Sequence, residues 1–134
     1  MWGNPVKFRN LKSSIEIPMT IFLLKSKLHR ARVTDSNMNY EGSLTVSEDL
    51  MEAVGFVPYE KVLVSNLANG ERFETYLIVG KRGAGEICLN GPAALLGKAG
   101  DILTIMSFTE VDAKDASQHE PQKATLQDGN RLPS

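Results

Sequence analysis

The dipeptide Gly42-Ser43 is the part of this sequence whose residue types and spacing most directly suggest chemistry. A serine hydroxyl lies close to the carbonyl of the preceding residue and attacks it when the backbone is held under strain. Glycine suits the preceding position because it adopts backbone geometries closed to other residues and leaves its carbonyl open. The pair is a candidate for self-cleavage, although the same dipeptide commonly forms an ordinary turn before a strand.

Two further groups have side chains suited to ligand binding or proton transfer. Lys27 and His29 alternate along a predicted strand, so they share one face of it. A solvated basic strand edge is the simpler interpretation of that pair. Arg72 and Tyr76 are predicted on one face of a later strand, with Thr75 on the other. Tyr76 is either a half-buried strand aromatic or a proton donor, and the residues alone leave both open.

The elements that must position these residues are short and mostly extended. Alternating and apolar runs predict strands at 20–33, 44–46, 61–66, 72–79, 86–89 and 102–108. Ser47 is a predicted helix N-cap, and Gly55 ends that short helix. Asn69-Gly70 predicts a hairpin turn, and a second short helix is predicted after Asn90. Many short strands with tight turns indicate a small β-barrel.

Three segments are predicted to lack regular structure. Residues 1–18 show no sustained period and are interpreted as a loose N-terminal extension. Residues 34–37 have turn chemistry. Residues 112–134 are rich in Lys, Asp, Gln, Pro and Ser, which predicts a disordered polar tail. The catalytic domain is therefore predicted to comprise residues 19–111.

Composition excludes several classes of protein. The chain has 134 residues, 42% of them hydrophobic, which suits one compact domain. A net charge of −1 argues against a dedicated nucleic-acid binder. No stretch approaches the ~18 apolar residues of a membrane helix, and no secretion signal opens the chain, so we expect a cytoplasmic protein. The single cysteine, Cys88, excludes an internal disulfide, is predicted to be a buried thiol, and with two histidines cannot form a structural zinc site.

The charge is divided unevenly at Gly42. Residues 1–42 carry seven Lys/Arg against three Asp/Glu, whereas residues 43–134 carry eight against thirteen. Opposite balances of +4 and −5 favour association of the two pieces, whether or not they stay covalently joined.

Several motifs occur together and in a consistent order. They are Lys27-Leu28-His29-Arg30, Tyr40-Glu41-Gly42-Ser43, Asn69-Gly70 with Arg72-Phe73 and Thr75-Tyr76, and Asn90-Gly91 with Ala93-Ala94. In these motifs the chain from residue 20 to residue 108, about two-thirds of its length, resembles the pyruvoyl-dependent aspartate 1-decarboxylases. The resemblance implies a mainly β fold, a six-stranded double-psi β-barrel, that assembles as a homotetramer with active sites between neighbouring subunits.

The resemblance also implies a self-processing enzyme. Ser43 would attack the Gly42 carbonyl and become a pyruvoyl group, with Thr75 and Asn90 at positions associated with this step. That group would form a Schiff base with L-aspartate, and loss of CO2 would give β-alanine, a precursor of pantothenate. Tyr76 would protonate the carbanion. The resemblance implies neither a metal nor pyridoxal phosphate, and it leaves open whether a maturation factor assists cleavage.

Substrate binding is implied for side chains and for one loop. Arg72 would grip a carboxylate with its planar guanidinium, and Lys27 would add positive potential. Thr75 and the loop Gly91, Pro92 and Ala93 would contact the same small molecule, and no nucleic-acid or membrane partner is expected.

Two residues depart from the family pattern. Pro92 stands where alanine is usual and removes a backbone N–H, and Ser65 stands where tryptophan is frequent. Two alternatives therefore stay open. The same chemistry could act on glutamate or cysteine sulfinate, or the barrel could remain unprocessed and act as a binding or assembly module.

Overall fold

The structure, a computed structural model, describes residues 18–134. The prediction of a loose extension therefore lies almost wholly outside the described residues. The strands are β1 (Thr20–Arg32), β2 (Asp35–Asn37), β3 (Ser43–Ser47), β4 (Lys61–Asn66), β5 (Arg72–Gly80), β6 (Ile87–Asn90), β7 (Ile102–Asp112) and β8 (Gln122–Thr125). The helical elements of this part are α1 (Glu48–Val54) and two 3-10 helices, Gly91–Leu95 and Ala113–Gln118. No helix among residues 18–134 has the length and apolar character needed to cross a membrane.

The strands form one sheet in the order β2-β6-β3-β5-β4-β7-β1-β8. The mainly β class predicted from the sequence is confirmed. The sheet has two strands more than the six predicted, and β2 and β8, which are both short, lie at the two ends of the order. Closure of these strands into a double-psi barrel stays a prediction.

The hydrophobic core follows the alternation of side chains along the strands. In β4, Val62 and Val64 are buried, whereas Lys61 before them and Leu63 between them are more exposed. Leucines of five other strands meet these valines in a single core cluster and are fully buried, namely Leu28, Leu44, Leu77, Leu89 and Leu103. The core therefore joins the strands that carry every predicted site residue outside the loops.

Helix α1 begins and ends where the sequence predicted, but its start is stabilised differently. Ser47 occupies the N-cap position without making a side-chain cap. Its Oγ instead accepts a hydrogen bond of 2.7 Å from the backbone N–H of Glu86 and so joins α1 to the segment before β6. Gly55 ends the helix in the left-handed conformation, with φ of 74°.

The hairpin predicted at Asn69-Gly70 is confirmed between β4 and β5. Gly70 has φ of 72°, and its N–H donates to the carbonyl of Asn66 over 2.8 Å. The hairpin sets the register of β5, which pairs Thr75 with Val62 and Tyr76 with Lys61.

Strand β1 pairs along almost all of its length with β7 but is irregular at two points. One irregularity lies between Leu28 and Ala31, and there Arg30 has φ of 61°, which is unusual for a residue other than glycine. Such a bulge bends a strand and changes the direction of its side chains. It follows directly after His29.

The prediction of a disordered tail is wrong. β7 continues to Asp112, and after a 3-10 helix β8 pairs in parallel with residues 26–29 of β1. Asn130 then bonds to the backbone of β1, because its Oδ1 accepts from the Arg32 N–H and its Nδ2 donates to the Arg32 carbonyl, both over 2.8 Å. A polar composition suggested disorder, but here a polar side chain satisfies the backbone groups at the end of a strand.

The turn predicted at residues 34–37 is also corrected. Three of these residues form β2, which pairs in parallel with β6 from Asp35–Cys88 to Asn37–Asn90. Side chains of Asp and Asn favour turns in local sequence, but a parallel partner more than fifty residues away in the chain overrides that preference here.

Candidate active site

The backbone around Gly42 and Ser43 is positioned by the antiparallel pairing of β3 and β6. Ser43 lies opposite Asn90, so Gly42 and Gly91 are the residues that flank this pair. Gly91 has φ of 63°, and a Cβ there would lie 2.7 Å from the Gly42 nitrogen and 2.8 Å from the Tyr40 carbonyl oxygen. Only glycine permits this close approach of the two segments.

The Ser43 side chain is fully buried in a directional set of hydrogen bonds. Its Oγ accepts from Asn90 Nδ2 over 3.0 Å and donates to the Glu41 carbonyl over 3.2 Å. Asn90 Nδ2 also donates to Thr45 Oγ1 over 2.9 Å, and Asn90 Oδ1 accepts from the Cys88 thiol over 3.2 Å. We call these five residues the Ser43 network. These hydrogen bonds hold the Ser43 hydroxyl in one direction, in the residue directly after Gly42.

An open cavity of about 330 Å³ lies beside this network. We call it the tyrosine cavity; it is lined by Gly42, Phe73, Glu74, Thr75, Tyr76, Pro92, Ala93 and Leu96. The structure thus brings together five of the predicted site residues, Gly42, Thr75, Tyr76, Pro92 and Ala93, from three separate segments. Both faces of β5 contribute here, since Thr75 and Tyr76 were predicted on opposite faces yet line the same cavity.

Tyr76 is half-buried at this cavity and packs against a second tyrosine. Its ring centroid lies 6.4 Å from that of Tyr59, with the planes tilted by 35°. Tyr59 itself is 77% exposed and has φ of 68°. The ring of Tyr76 therefore packs against one aromatic neighbour whose own side chain is largely exposed.

Lys27 and Arg72 lie away from the tyrosine cavity within one chain. Across the sheet Lys27 is in register with Met106, Leu63 and Glu74, so three strand spacings, about 14 Å, separate it from β5. Arg72 is exposed and precedes Tyr76 by four residues, about 13 Å along β5. Ser65 pairs with Arg72 across the hairpin, so the departure from the family pattern at position 65 lies next to this arginine.

Lys27 and His29 line a second cavity of about 250 Å³ together with Lys123, Ala124 and Thr125. We call it the basic cavity. The predicted common face of Lys27 and His29 is confirmed, and Lys123 is directly paired with Lys27 across the parallel strands β1 and β8. Burial lowers the pKa of His29, and the positive charges of Lys27 and Arg30 lower it further.

Sequence reasoning missed several residues of these sites, among them Cys88, Thr45 and Lys123. Cys88 and Thr45 lie two positions from Asn90 and Ser43 on their strands, so the twofold period of a strand would have found them once the pairing was known. Lys123 had no local signal, because its segment lacks any apolar period. Among residues 18–134, no group of three or more His, Cys, Asp or Glu side chains is arranged to bind a metal.

The chain thus combines a mainly β sheet, a Gly-Ser junction whose serine is buried, and a tyrosine-lined cavity. The family described as Aspartate decarboxylase matches residues 19–133. The chain is 49% identical to the Aspartate 1-decarboxylase of Syntrophobacter fumaroxidans over 115 residues, 86% of this chain and 92% of that protein. It is 51% identical to the Bacillus subtilis protein of that name over 110 residues, 82% of this chain and 87% of the relative.

A similar relationship holds with the Aspartate 1-decarboxylase of Leptospira biflexa, with 51% identity over 115 residues that cover 98% of that protein. The chain belongs to the aspartate decarboxylase family. The resemblance stated from the motifs is therefore confirmed, and with it the prediction of an enzyme of this family.

Proposed function

We propose that this chain cuts its own Gly42–Ser43 bond and then decarboxylates L-aspartate to β-alanine and CO2, as a source of β-alanine for pantothenate. The observation that carries the proposal is the buried Ser43 hydroxyl, which is hydrogen-bonded to Asn90 and to the Glu41 carbonyl and directly follows Gly42. Family membership supports the reaction and its substrate. We place it in the cytoplasm, since a chain with one cysteine needs no oxidising compartment.

Cleavage proceeds by a shift of the acyl group from nitrogen to oxygen. Ser43 Oγ bonds to the Gly42 carbonyl carbon, the peptide C–N bond breaks, and the hydroxyl proton passes to the released amine. Loss of the proton from Cα of residue 43 then expels the Gly42 carboxylate by breaking the Oγ–Cβ bond. One water hydrolyses the resulting dehydroalanine, releasing ammonia and leaving a pyruvoyl group.

Thr75 is better suited than Asn90 to stabilise the oxyanion that develops on Gly42. Both hydrogens of Asn90 Nδ2 are already bonded, to Ser43 Oγ and to Thr45 Oγ1. Thr75 lines the same cavity as Gly42, and within residues 18–134 its hydroxyl makes no side-chain hydrogen bond. We therefore assign Asn90 to orienting the nucleophile and Thr75 to the oxyanion.

The site fits a pyruvoyl group, because Gly42 and Gly91 keep side chains away from residue 43 and the tyrosine cavity opens beside it. Such a group supplies a ketone that takes the substrate amine as a Schiff base and accepts the electron pair left by CO2. Tyr76 then donates its hydroxyl proton to the substrate carbon. Packing against Tyr59 orients the ring for that transfer.

We propose that more than one copy of the chain binds the substrate carboxylates. Arg72 and Lys27 are the cations assigned to this task. In one protomer, strand geometry separates Arg72 from Tyr76 by about 13 Å and Lys27 from Glu74 of the same strand by about 14 Å. We propose a homotetramer in which one subunit's tyrosine cavity faces cationic residues of its neighbour. Exposed apolar side chains, including Phe22, Leu67 and Leu95, are available for such contacts.

Pro92 supports one alternative substrate preference. It lines the tyrosine cavity and has no N–H to donate, so an acid of different length, glutamate or cysteine sulfinate, is the second candidate.

Denaturing mass spectrometry of the purified chain tests the proposal. We expect two fragments, residues 1–42 and 43–134, with the larger one reactive toward a ketone reagent. Release of CO2 should then be faster from aspartate than from glutamate or cysteine sulfinate. A maturation factor is unnecessary if the pure chain cleaves on incubation, and required if cleavage occurs only in extract.

Ser43→Ala is the decisive variant, and Ser117→Ala, at an exposed serine, is its matched control. We expect Ser43→Ala to stay intact and inactive while Ser117→Ala behaves as wild type. A wild-type chain that stays intact in both settings would instead support a binding or assembly module.

A further inference from the structure

The direction of the Ser43 network can be followed from one end to the other. The Cys88 thiol donates to Asn90 Oδ1, Asn90 Nδ2 donates to Ser43 Oγ, and the Ser43 hydroxyl donates to the Glu41 carbonyl. All three side chains are buried, with exposed fractions of 8% for Cys88, 3% for Asn90 and 0% for Ser43. Water is therefore a poor substitute for a missing partner.

The orientation of the Asn90 amide decides whether the Ser43 hydroxyl accepts a hydrogen bond from Asn90 or donates one to it. An amide rotated by half a turn would present Oδ1 to Ser43 and Thr45 and its NH2 group to Cys88. The Ser43 proton would then be drawn to Asn90 and away from the Glu41 carbonyl. A thiol is a weak acceptor, so a rotated amide would leave its donors poorly satisfied next to Cys88.

Cys88 is a reliable donor at this position. Burial raises its pKa, and the negative charges of Asp35 and Glu86 raise it further, so the thiol keeps its proton at neutral pH. Its Sγ lies only 3.2 Å from Asn90 Oδ1, because residues 88 and 90 are two apart on β6 and share a face.

We propose that Cys88 is a positioning residue for self-cleavage, whose thiol fixes the Asn90 amide so that Nδ2 faces Ser43 Oγ. The inference rests on the proposed cleavage and adds a residue to it. Cys88 does not line the tyrosine cavity, and it acts only through Asn90.

The rate of precursor cleavage tests this role. We expect Cys88→Ala to slow cleavage about five- to tenfold, the effect of one hydrogen bond of ordinary strength, while the thermal unfolding midpoint of the precursor changes little. Cys88→Ser retains a donor and should cleave within about twofold of wild type. Cleavage of Cys88→Ala at the wild-type rate, or Cys88→Ser as slow as Cys88→Ala, would overturn the proposal.

A second measurement does not depend on cleavage. In asparagine-labelled Ser43→Ala precursor, which keeps the Thr45 acceptor, the Nδ2 proton of Asn90 that bonds to Thr45 Oγ1, assigned by its loss in Asn90→Ala, should exchange slowly with solvent. Adding Cys88→Ala should speed this exchange about tenfold, and adding Cys88→Ser should not. Unchanged exchange in Cys88→Ala would overturn the positioning role, whereas an intact wild-type chain with altered exchange would overturn only the proposed cleavage.

Discussion

The Ser43 network and the basic cavity differ in burial, in charge and in the origin of their residues. The hydrogen-bonding groups of the network are uncharged, and its Ser43, Cys88 and Asn90 side chains are buried on the paired strands β3 and β6. The basic cavity is open, and it combines half-buried Lys27 and His29 of β1 with exposed Lys123 of β8. Removing one hydrogen-bonding atom from a buried site leaves its partner unsatisfied, which is costly. An exposed charge contributes a smaller interaction energy, and salt screens it. Substitutions in the two regions should therefore differ in kind.

The largest effect is expected from Gly91→Ala. The added Cβ would lie 2.7 Å from the Gly42 nitrogen, and the residue would have to keep φ of 63°. The backbone at the cleavage site must then shift, so we expect no detectable cleavage by denaturing mass spectrometry. Gly83→Ala is the matched control, because Gly83 has φ of 79° but no atom within 4 Å of its Cβ position. Cleavage of Gly91→Ala at the rate of Gly83→Ala would contradict the close approach.

Tyr76→Phe should have the next largest effect. It keeps the ring against Tyr59 but removes the hydroxyl, so we expect kcat to fall about 100-fold, as is typical when a general acid is lost. Cleavage of the precursor should continue, since the Ser43 network does not contain this residue. The control is Tyr59→Phe, which removes the neighbouring hydroxyl and should change kcat less than about threefold. Equal losses in both variants would assign the effect to packing.

Asn130→Ala tests how strongly the C-terminal segment, which contributes Lys123 to the basic cavity, is bound to the rest of the sheet. Asn130 is 4% exposed and bonds to Arg32 twice and to the Gly85 carbonyl once. Loss of three such bonds should lower the free energy of unfolding by about 2–4 kcal/mol in urea titrations of the Ser43→Ala precursor. Asn39→Ala, at an exposed asparagine, should lower it by less than about 0.5 kcal/mol. Equal values would mean that the C-terminal segment contributes little to stability.

Features that depend on local residue types were predictable from the sequence, whereas features that depend on distant partners were not. Gly42, Ser43 and the Asn69-Gly70 turn depend on local residue types, so their positions followed from short motifs. The segment after Asp112 depends on partners far away in the chain, namely parallel pairing of β8 with β1 and backbone bonds from Asn130. Neither kind of contact leaves an apolar period in the sequence, and so Lys123 could not be placed beside Lys27 in advance.

The smallest effect is expected from substitution of Lys123. Its salt dependence shows whether the side chain acts through its charge. Lys123 pairs directly with Lys27, and two like charges on neighbouring strands are unfavourable until an anion lies between them. If this cavity faces the substrate carboxylates in the tetramer, Lys123→Gln should raise KM for aspartate about three- to fivefold without changing kcat or cleavage. Raising the salt concentration should shrink that difference, because exposed charges are screened. Lys114→Gln, at an exposed lysine that does not line the cavity, is the control. A salt-independent change, or one equal to that of Lys114→Gln, would show that Lys123 does not act through its charge on the substrate.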